Sequence, residues 1–275
     1  CLKFNLRDAR YVLERASARE TAARVALGAL AKLFLKEFGI EVASHVVAVG
    51  SVAMTTDPVP FERILALRER AEIALNCVDA ETEARMKAQV DEATKARDTV
   101  GGTFEVVARG VPPGLGSCAQ WDEKLDGQLA QAVMSVQAVK GVEIGTGIEN
   151  AATFGSKVHD EIGYSREASR FTRPSNRAGG LEGGITNGED VVVRGYLKPI
   201  STLRQPLESV DLESKEPVKA AYERSDVCVV PAAGVIGEAM VALVLARALL
   251  EKFGGDSLEE TRRSFAAYMK QVREF

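Results

Sequence analysis

The sequence predicts an α+β fold in one domain, with mostly antiparallel strands. Three observations predict it. Helical and strand-like periodicities come in blocks rather than in strict βα alternation. No linker and no 20–50-residue repeat divides the 275 residues. A stretch uncharged between Glu238 and Arg247 marks a helix that belongs at the centre of a core.

The elements follow in order. Val12, Ala16, Ala23, Val25, Ala26, Leu30 and Leu33 keep a roughly helical period over about 8–38, and Gly39 is placed to end that helix. Residues 40–54 are β-branched and read as a strand, closed by Pro58 and Pro60. Residues 61–75 and 80–97 read as helices, the second rich in charge. Val100-Gly101-Gly102 turns the chain into an alternating strand over 103–109, and 111–116 is a Pro/Gly loop. A helix is expected over 121–139 on Leu125, Leu129, Val133 and Val136. Residues 154–188 are polar, rich in Gly and Arg, and nearly aperiodic, which reads as a functional lid or binding loop, or as a disordered stretch. A strand over 189–197 delivers a loop at Lys198. An apolar helix covers 233–253, and Asp256-Ser257-Leu258-Glu259-Glu260 is a capping box that opens a final amphipathic helix.

Composition narrows the class of function. Hydrophobic content of 46% and charged content of 27% are those of an ordinary globular chain. Four scattered cysteines, Cys1, Cys77, Cys118 and Cys228, include no CxxC pair. That argues against a disulfide framework or structural zinc and for a reducing, cytoplasmic setting. No apolar stretch is expected to reach the ~20 residues of a membrane span, and no signal-peptide pattern opens the chain. Acidic and basic residues are interspersed at a net charge of −4, so neither a nucleic acid nor a membrane is an expected partner. Cys1-Leu2-Lys3-Phe4 begins without Met, as if mid-element.

Against that acidic balance, several cationic runs stand out. Arg15-Ala16-Ser17-Ala18-Arg19-Glu20-Thr21 sets two guanidiniums among small residues and hydroxyls. Lys198-Pro199-Ile200-Ser201-Thr202 sets an ammonium beside two hydroxyls on a Pro-stiffened loop. Arg224-Ser225-Asp226 sets a guanidinium next to a carboxylate. Guanidinium forks, hydroxyls and backbone N–H groups are what phosphate oxygens require, so a small phosphorylated ligand or cofactor is indicated. Asn176 to Ile185 carries four glycines, a pattern able to wrap backbone N–H groups around an anion or a ring edge, though it is neither GxGxxG nor Walker A. Each run also has a plainer reading: a solvated helix face, a Lys-Pro turn, a flexible loop, a salt-bridged turn before a buried strand. Asp226 is the acid/base candidate. Glu238 reads as a structural ion-pair partner, His45 as a satisfied core residue and His159 as exposed. Two histidines leave little material for a catalytic triad or a His-based metal site.

Four runs in this order resemble chorismate synthase: Leu13 to Val25; Met134-Ser135-Val136-Gln137-Ala138-Val139-Lys140-Gly141-Val142-Glu143-Ile144-Gly145; Asn176 to Gly188 followed by Lys198 to Thr202; and Arg224-Ser225-Asp226 through Glu238-Ala239-Met240. The resemblance spans essentially the whole chain. It implies a cytoplasmic homotetrameric lyase with a helical core between antiparallel sheets. Such an enzyme converts 5-enolpyruvylshikimate-3-phosphate to chorismate by 1,4-elimination of phosphate, and it needs reduced FMN without net redox change. NADPH serves as the flavin reductant in bifunctional members.

Carried over residue by residue, the resemblance implies that Arg15, Ala16, Ser17, Gln137 and Ala138 line FMN. Gly183 gives it a backbone edge, and Lys198, Pro199, Ile200, Ser201 and Thr202 hold its phosphate or ribityl end. Arg224 reaches the flavin, Arg19 faces the substrate's anionic groups, and Asp226 is the acid/base near the flavin N5. No metal is implied. The family's Gly-Glu-Ser-His-Gly motif and its Pro-Gly-His-Ala-Asp run do not occur here, and His45 and His159 match other positions. The expectation is therefore a sequence that lacks the family's N-terminal segment and, on its own, its turnover; the alternative is a non-catalytic flavin-binding fragment.

Overall fold

The computed structural model describes residues 1–55, 58–70, 75–222 and 226–275, the Arg15 side chain excepted. The helix expected over 8–38 is broken in two. Helix α1 (Arg10–Ala16) stops at Ser17, whose backbone is extended (φ −65°, ψ 143°) and whose hydroxyl accepts from the Arg19 N–H at 3.4 Å. A 3₁₀ turn over Ala18–Glu20 follows, then α2 (Thr21–Lys36). Serine at a helix entry competes for the backbone in this way, and hydrophobic periodicity does not register it. Gly39 closes the unit with φ +74°, as expected.

The remaining elements are β1 (Glu41–Val49), β2 (Val52–Ala53), α3 (Phe61–Ala66), α4 (Ala80–Lys95), β3 (Gly102–Arg109), α5 (Leu125–Met134), β4 (Val139–Ile144), α6 (Gly147–Ala151), α7 (Gly155–Val158), β5 (Gly163–Ser165), β6 (Arg170–Thr172), β7 (Leu181–Glu182), β8 (Ile185–Thr186), β9 (Val191–Leu197), β10 (Glu208–Val210), β11 (Pro217–Lys219), α8 (Val230–Phe253) and α9 (Leu258–Glu274). Helix α5 is shorter than expected at both ends. Trp121 lies exposed before it, and after Ser135 the chain turns over 136–138 into β4, a strand the sequence hid behind helical periodicity. The stretch expected as a loop contains two β-hairpins, β5–β6 and β7–β8. Ser257 and Glu260 form the expected capping box of α9.

Five strands form one antiparallel sheet in the order β2-β1-β3-β9-β4. Val42, Val46, Phe104, Val106 and Val193 belong to the main core, in which α8 packs on the sheet and against α2 and α5. Helices α2 and α8 touch at backbone distance. A Cβ on Gly28 would lie 2.3 Å from the Ala239 Cβ, so only glycine permits this crossing. Helix α8 is long and apolar enough to cross a membrane by length and composition, contrary to expectation, but most of it is buried inside the fold as the core helix. Leu27, Leu30 and Leu33 on α2 are exposed and face no sheet among the described residues. On the other face, Phe61, Ile64 and Leu67 cover Ala43 and Val107.

That second face also carries a row of charges in strand register. His45 on β1 pairs with Glu105 on β3, Glu105 with Arg194 on β9, and Arg194 with Glu143 on β4. The contacts are His45 Nε2 to Glu105 Oε1 at 3.0 Å, Arg194 Nε to Glu105 Oε2 at 2.6 Å and Arg194 Nη1 to Glu143 Oε2 at 3.7 Å. The Tyr196 hydroxyl donates to Glu143; burial first, then that bond, pushes the hydroxyl pKa up. His45 is buried as expected but only half satisfied, since its Nδ1 has no hydrogen-bond partner among the described residues.

Burial alone would raise the Glu105 carboxyl. The hydrogen bond from His45 and the charge of Arg194 outweigh it and hold the group below its ordinary value. A carboxyl depressed in the folded state adds stability above its unfolded pKa, about 4.3 for Glu, and loses it as pH falls through the folded value. Glu105→Gln should therefore melt lower than wild type at neutral pH, and its melting temperature should fall less on acidification to about pH 3.5. Parallel curves for the two proteins would show that the row contributes no linkage.

Candidate functional site

The segment after α1 is built from small residues, so its backbone is accessible: Ala16 and Ala18 are exposed and Ser17 is half-buried. Arg15 lies in the last turn of this helix, one residue before its end at Ala16. Arg19 is exposed and sits 3.6 Å from the Glu14 carboxylate, an ion pair too solvated to hold it. Glu20 is held differently. Its carboxylate accepts from Arg24 Nε at 2.9 Å and Nη2 at 2.7 Å, and from Gln137 Nε2 at 2.6 Å. Those bonds, Arg24 first and Gln137 second, keep the Glu20 carboxyl below its ordinary range. Arg24 continues to the Ser135 hydroxyl at 2.7 Å. The cationic segment is thereby tied to the turn that follows α5.

In that turn Ala138 adopts φ +68°, a left-handed conformation that costs a non-glycine residue roughly 1 kcal/mol or more. The turn aims the Ala138 carbonyl at the Lys198 N–H, at 3.0 Å. Gln137 Oε1 is buried and has no hydrogen-bond partner among the described residues. Beyond β9, Lys198, Pro199 and Ser201 are exposed while Ile200 and Thr202 are half-buried. Lys198 Nζ donates to the Pro199 carbonyl at 3.1 Å. The Ile200 carbonyl accepts from the Thr99 hydroxyl at 2.8 Å.

Val100, next to Thr99, donates to the Val227 carbonyl at 3.0 Å, which brings Asp226 to the same end of the sheet. Asp226 is exposed there, four residues before α8. Helix α8 begins without a side-chain cap, so the positive end of a 24-residue helix adds to this neighbourhood.

A chain of direct contacts thus links the Ser17–Glu20 segment, the Gln137–Ala138 turn, the Lys198–Ile200 loop and the approach to Asp226. Gly183 is not joined to it. It forms the β7–β8 turn with Gly184, and the Gly184 carbonyl accepts from Leu125 at the start of α5. Gln137 follows the other end of α5, ten residues or about 15 Å away along the axis. A Cβ on Gly183 would meet nothing within 4 Å, so this turn presents an open backbone edge. Arg224 lies outside the described residues. Sequence reasoning missed Glu20, Arg24 and Thr99 as the ties of the site. Only the Glu20–Arg24 pair, four residues apart on a helix, left a signal.

An orphaned buried acceptor, exposed cationic and hydroxyl groups on one loop, and an accessible small-residue segment fit an aromatic cofactor that carries a phosphate tail. Among the described residues no cluster of His, Cys, Asp or Glu is arranged to hold a metal.

The family model for chorismate synthase matches residues 1–250. The chorismate synthase of Solibacter usitatus is 67% identical over 274 residues, covering 100% of this chain and 70% of that protein. That of Aquifex aeolicus is 54% identical over 280 residues, with the same coverage of 100% and 70%. A solved crystal structure of chorismate synthase superposes with a TM-score of 0.85 at 48% identity, covering 100% of this chain and 76% of that one. The mixed helix and antiparallel-sheet architecture expected from sequence is shared with that structure. On both sequence and structure, the chain belongs to the chorismate synthase family.

Proposed function

We propose that this lyase eliminates phosphate from 5-enolpyruvylshikimate-3-phosphate in the 1,4 sense to give chorismate, with reduced FMN required and no net redox change. The observation that carries the reading is the convergence of the Lys198 loop, the Gln137–Ala138 turn and Asp226 at one end of the sheet. When bound, reduced FMN supplies an electron-rich ring beside which phosphate can depart without net oxidation. Lys198, Ser201 and Thr202 hold its phosphate or ribityl end, and Ala16, Ser17, Gln137 and Ala138 line its ring with Arg15. Arg19, only loosely paired with Glu14, turns to the substrate's anionic groups. Asp226 takes and returns a proton at its exposed carboxylate. A reduced flavin beside a substrate with phosphate and carboxylates concentrates negative charge, and this is the end of the molecule where cationic side chains and the α8 N-terminus gather. The same reading makes the protein a cytoplasmic homotetramer, with NADPH as a flavin reductant in a bifunctional form.

Anaerobic turnover of 5-enolpyruvylshikimate-3-phosphate with reduced FMN, followed as phosphate release in the enzyme as the cell makes it, tests the reaction. Release that does not need reduced FMN would sink the reading. Lys198→Ala tests the cofactor's place. Loss of one charge-assisted contact worth roughly 1.5–3 kcal/mol should weaken FMN binding about 10- to 100-fold in a flavin-fluorescence titration. An unchanged dissociation constant would remove Lys198 from the site.

A further inference from the structure

Glu20 and Gln137 are 117 positions apart and meet side chain to side chain. An ionised carboxylate only accepts hydrogen bonds, so Gln137 must offer Glu20 its NH₂ end. Arg24 keeps that carboxylate in place at 2.7 and 2.9 Å, and also grips Ser135 in the turn that carries Gln137. The amide therefore cannot turn over, and its Oε1, buried and with no partner among the described residues, is left facing inward as an acceptor. A buried acceptor of this kind calls for an N–H donor.

We infer that Glu20 is a positioning residue: it fixes the Gln137 amide so that Oε1 receives the imide N–H of the flavin ring. The inference rests on the flavin reading above. The imide is the one N–H that oxidised FMN carries, and the ring keeps it on reduction, so a bond to it fixes the orientation of the ring at this turn in the oxidised form that a titration reads. A plainer role, Glu20 as an i,i+4 ion-pair partner of Arg24, makes no statement about the cofactor.

Glu20→Gln separates the two. The glutamine can still accept from Arg24, but its NH₂ can donate to Gln137 Oε1, so the Gln137 amide is released to turn its donor end inward. Glu20→Asp keeps an acceptor-only group. The experiment is titration of uniformly ¹⁵N-labelled oxidised FMN into wild type and both variants, read by the imide ¹H–¹⁵N resonance and the dissociation constant, with a melting temperature for each protein. The expected result is a protected, downfield imide proton in wild type. It is lost in Glu20→Gln with about tenfold weaker binding, it returns at least in part in Glu20→Asp, and the melting temperatures lie within about 2 °C.

A Glu20→Gln protein that retains the wild-type imide resonance overturns the inference and leaves the flavin reading intact. So does a variant that melts markedly lower yet shows the same resonance in its folded fraction. Wild type that binds FMN tightly without a protected imide overturns it as well. Wild type that binds no FMN overturns the flavin reading and this inference together.

Discussion

Glu238→Ala should lower stability by about 2–4 kcal/mol, and the melting temperature by roughly 5–15 °C. Glu238 is buried in α8 among apolar neighbours, and groups from α2, from β1 and from the 3₁₀ turn over Leu67–Glu69 that follows α3 converge on it. Lys32 on α2 donates to its carboxylate, Arg68 approaches at 3.1 Å and the buried Ser44 hydroxyl at 2.8 Å. Removing the carboxylate strands the Ser44 donor and leaves two cations without their partner. It also opens a void where the sheet meets the α2–α8 layer. The cost falls short of the largest values known for buried pairs because Lys32 and Arg68 are partly exposed and can swing toward water, and because Arg68 keeps its 2.8 Å bond to the Val42 carbonyl. Lys32→Met alone should destabilise less. Combined with Glu238→Met, it should recover part of the loss, since an apolar pair of similar volume replaces a buried ionic one at little cost. Additive losses in that double variant, measured by denaturant titration, would show that the two residues are not coupled.

Glu238 also shows what a single sequence makes legible. A lone charge in an apolar helical stretch demands a partner, so its structural role could be read without a structure, as could the capping box at Ser257 and the glycine that ends α2. Each of these signals is local, or is a violation of a local rule. What could not be read depends on register and on long-range pairing. The row His45–Glu105–Arg194–Glu143 comes from four strands scattered over 41–197, and only the alignment of β1, β3, β9 and β4 lines its members up. Strand β4 was hidden because Val133, Val136 and Val139 keep a helical spacing across the turn, where the positive φ of Ala138 ends that period. At the candidate site, residue types drew attention to the Arg15–Thr21 run, the Lys198 loop and Asp226. The contacts that gather them run through Glu20, whose i,i+4 pairing with Arg24 is legible but whose bond to Gln137 is not, and through Thr99 and Val227, residues with no chemical signature of their own. Gly183 shows the converse: its motif was visible, and the fold sets it at the other end of α5.

Asp226→Asn should leave FMN binding within about threefold of wild type and the melting temperature within about 2 °C, while turnover falls by about 10²-fold or more. The two halves of this expectation have separate grounds. Stability is spared because the side chain is exposed, and the segment is anchored by backbone, through the Val227 carbonyl to the Val100 N–H, which an amide at position 226 does not disturb. Turnover is lost because asparagine keeps the shape and much of the hydrogen bonding of aspartate but cannot take up a proton. General acid–base groups typically contribute about 10²–10⁴-fold. The plainer reading, Asp226 as a salt-bridge partner in the turn before α8, reverses the pattern, with a lowered melting temperature and near-normal turnover in the folded molecules. Rate constant, flavin dissociation constant and melting temperature, taken on one preparation of the enzyme as the cell makes it, decide between them. A rate within tenfold of wild type would withdraw Asp226 from the chemistry whatever the melting temperature does. A large fall in rate accompanied by an equal loss of FMN binding would move it from proton transfer to holding the cofactor.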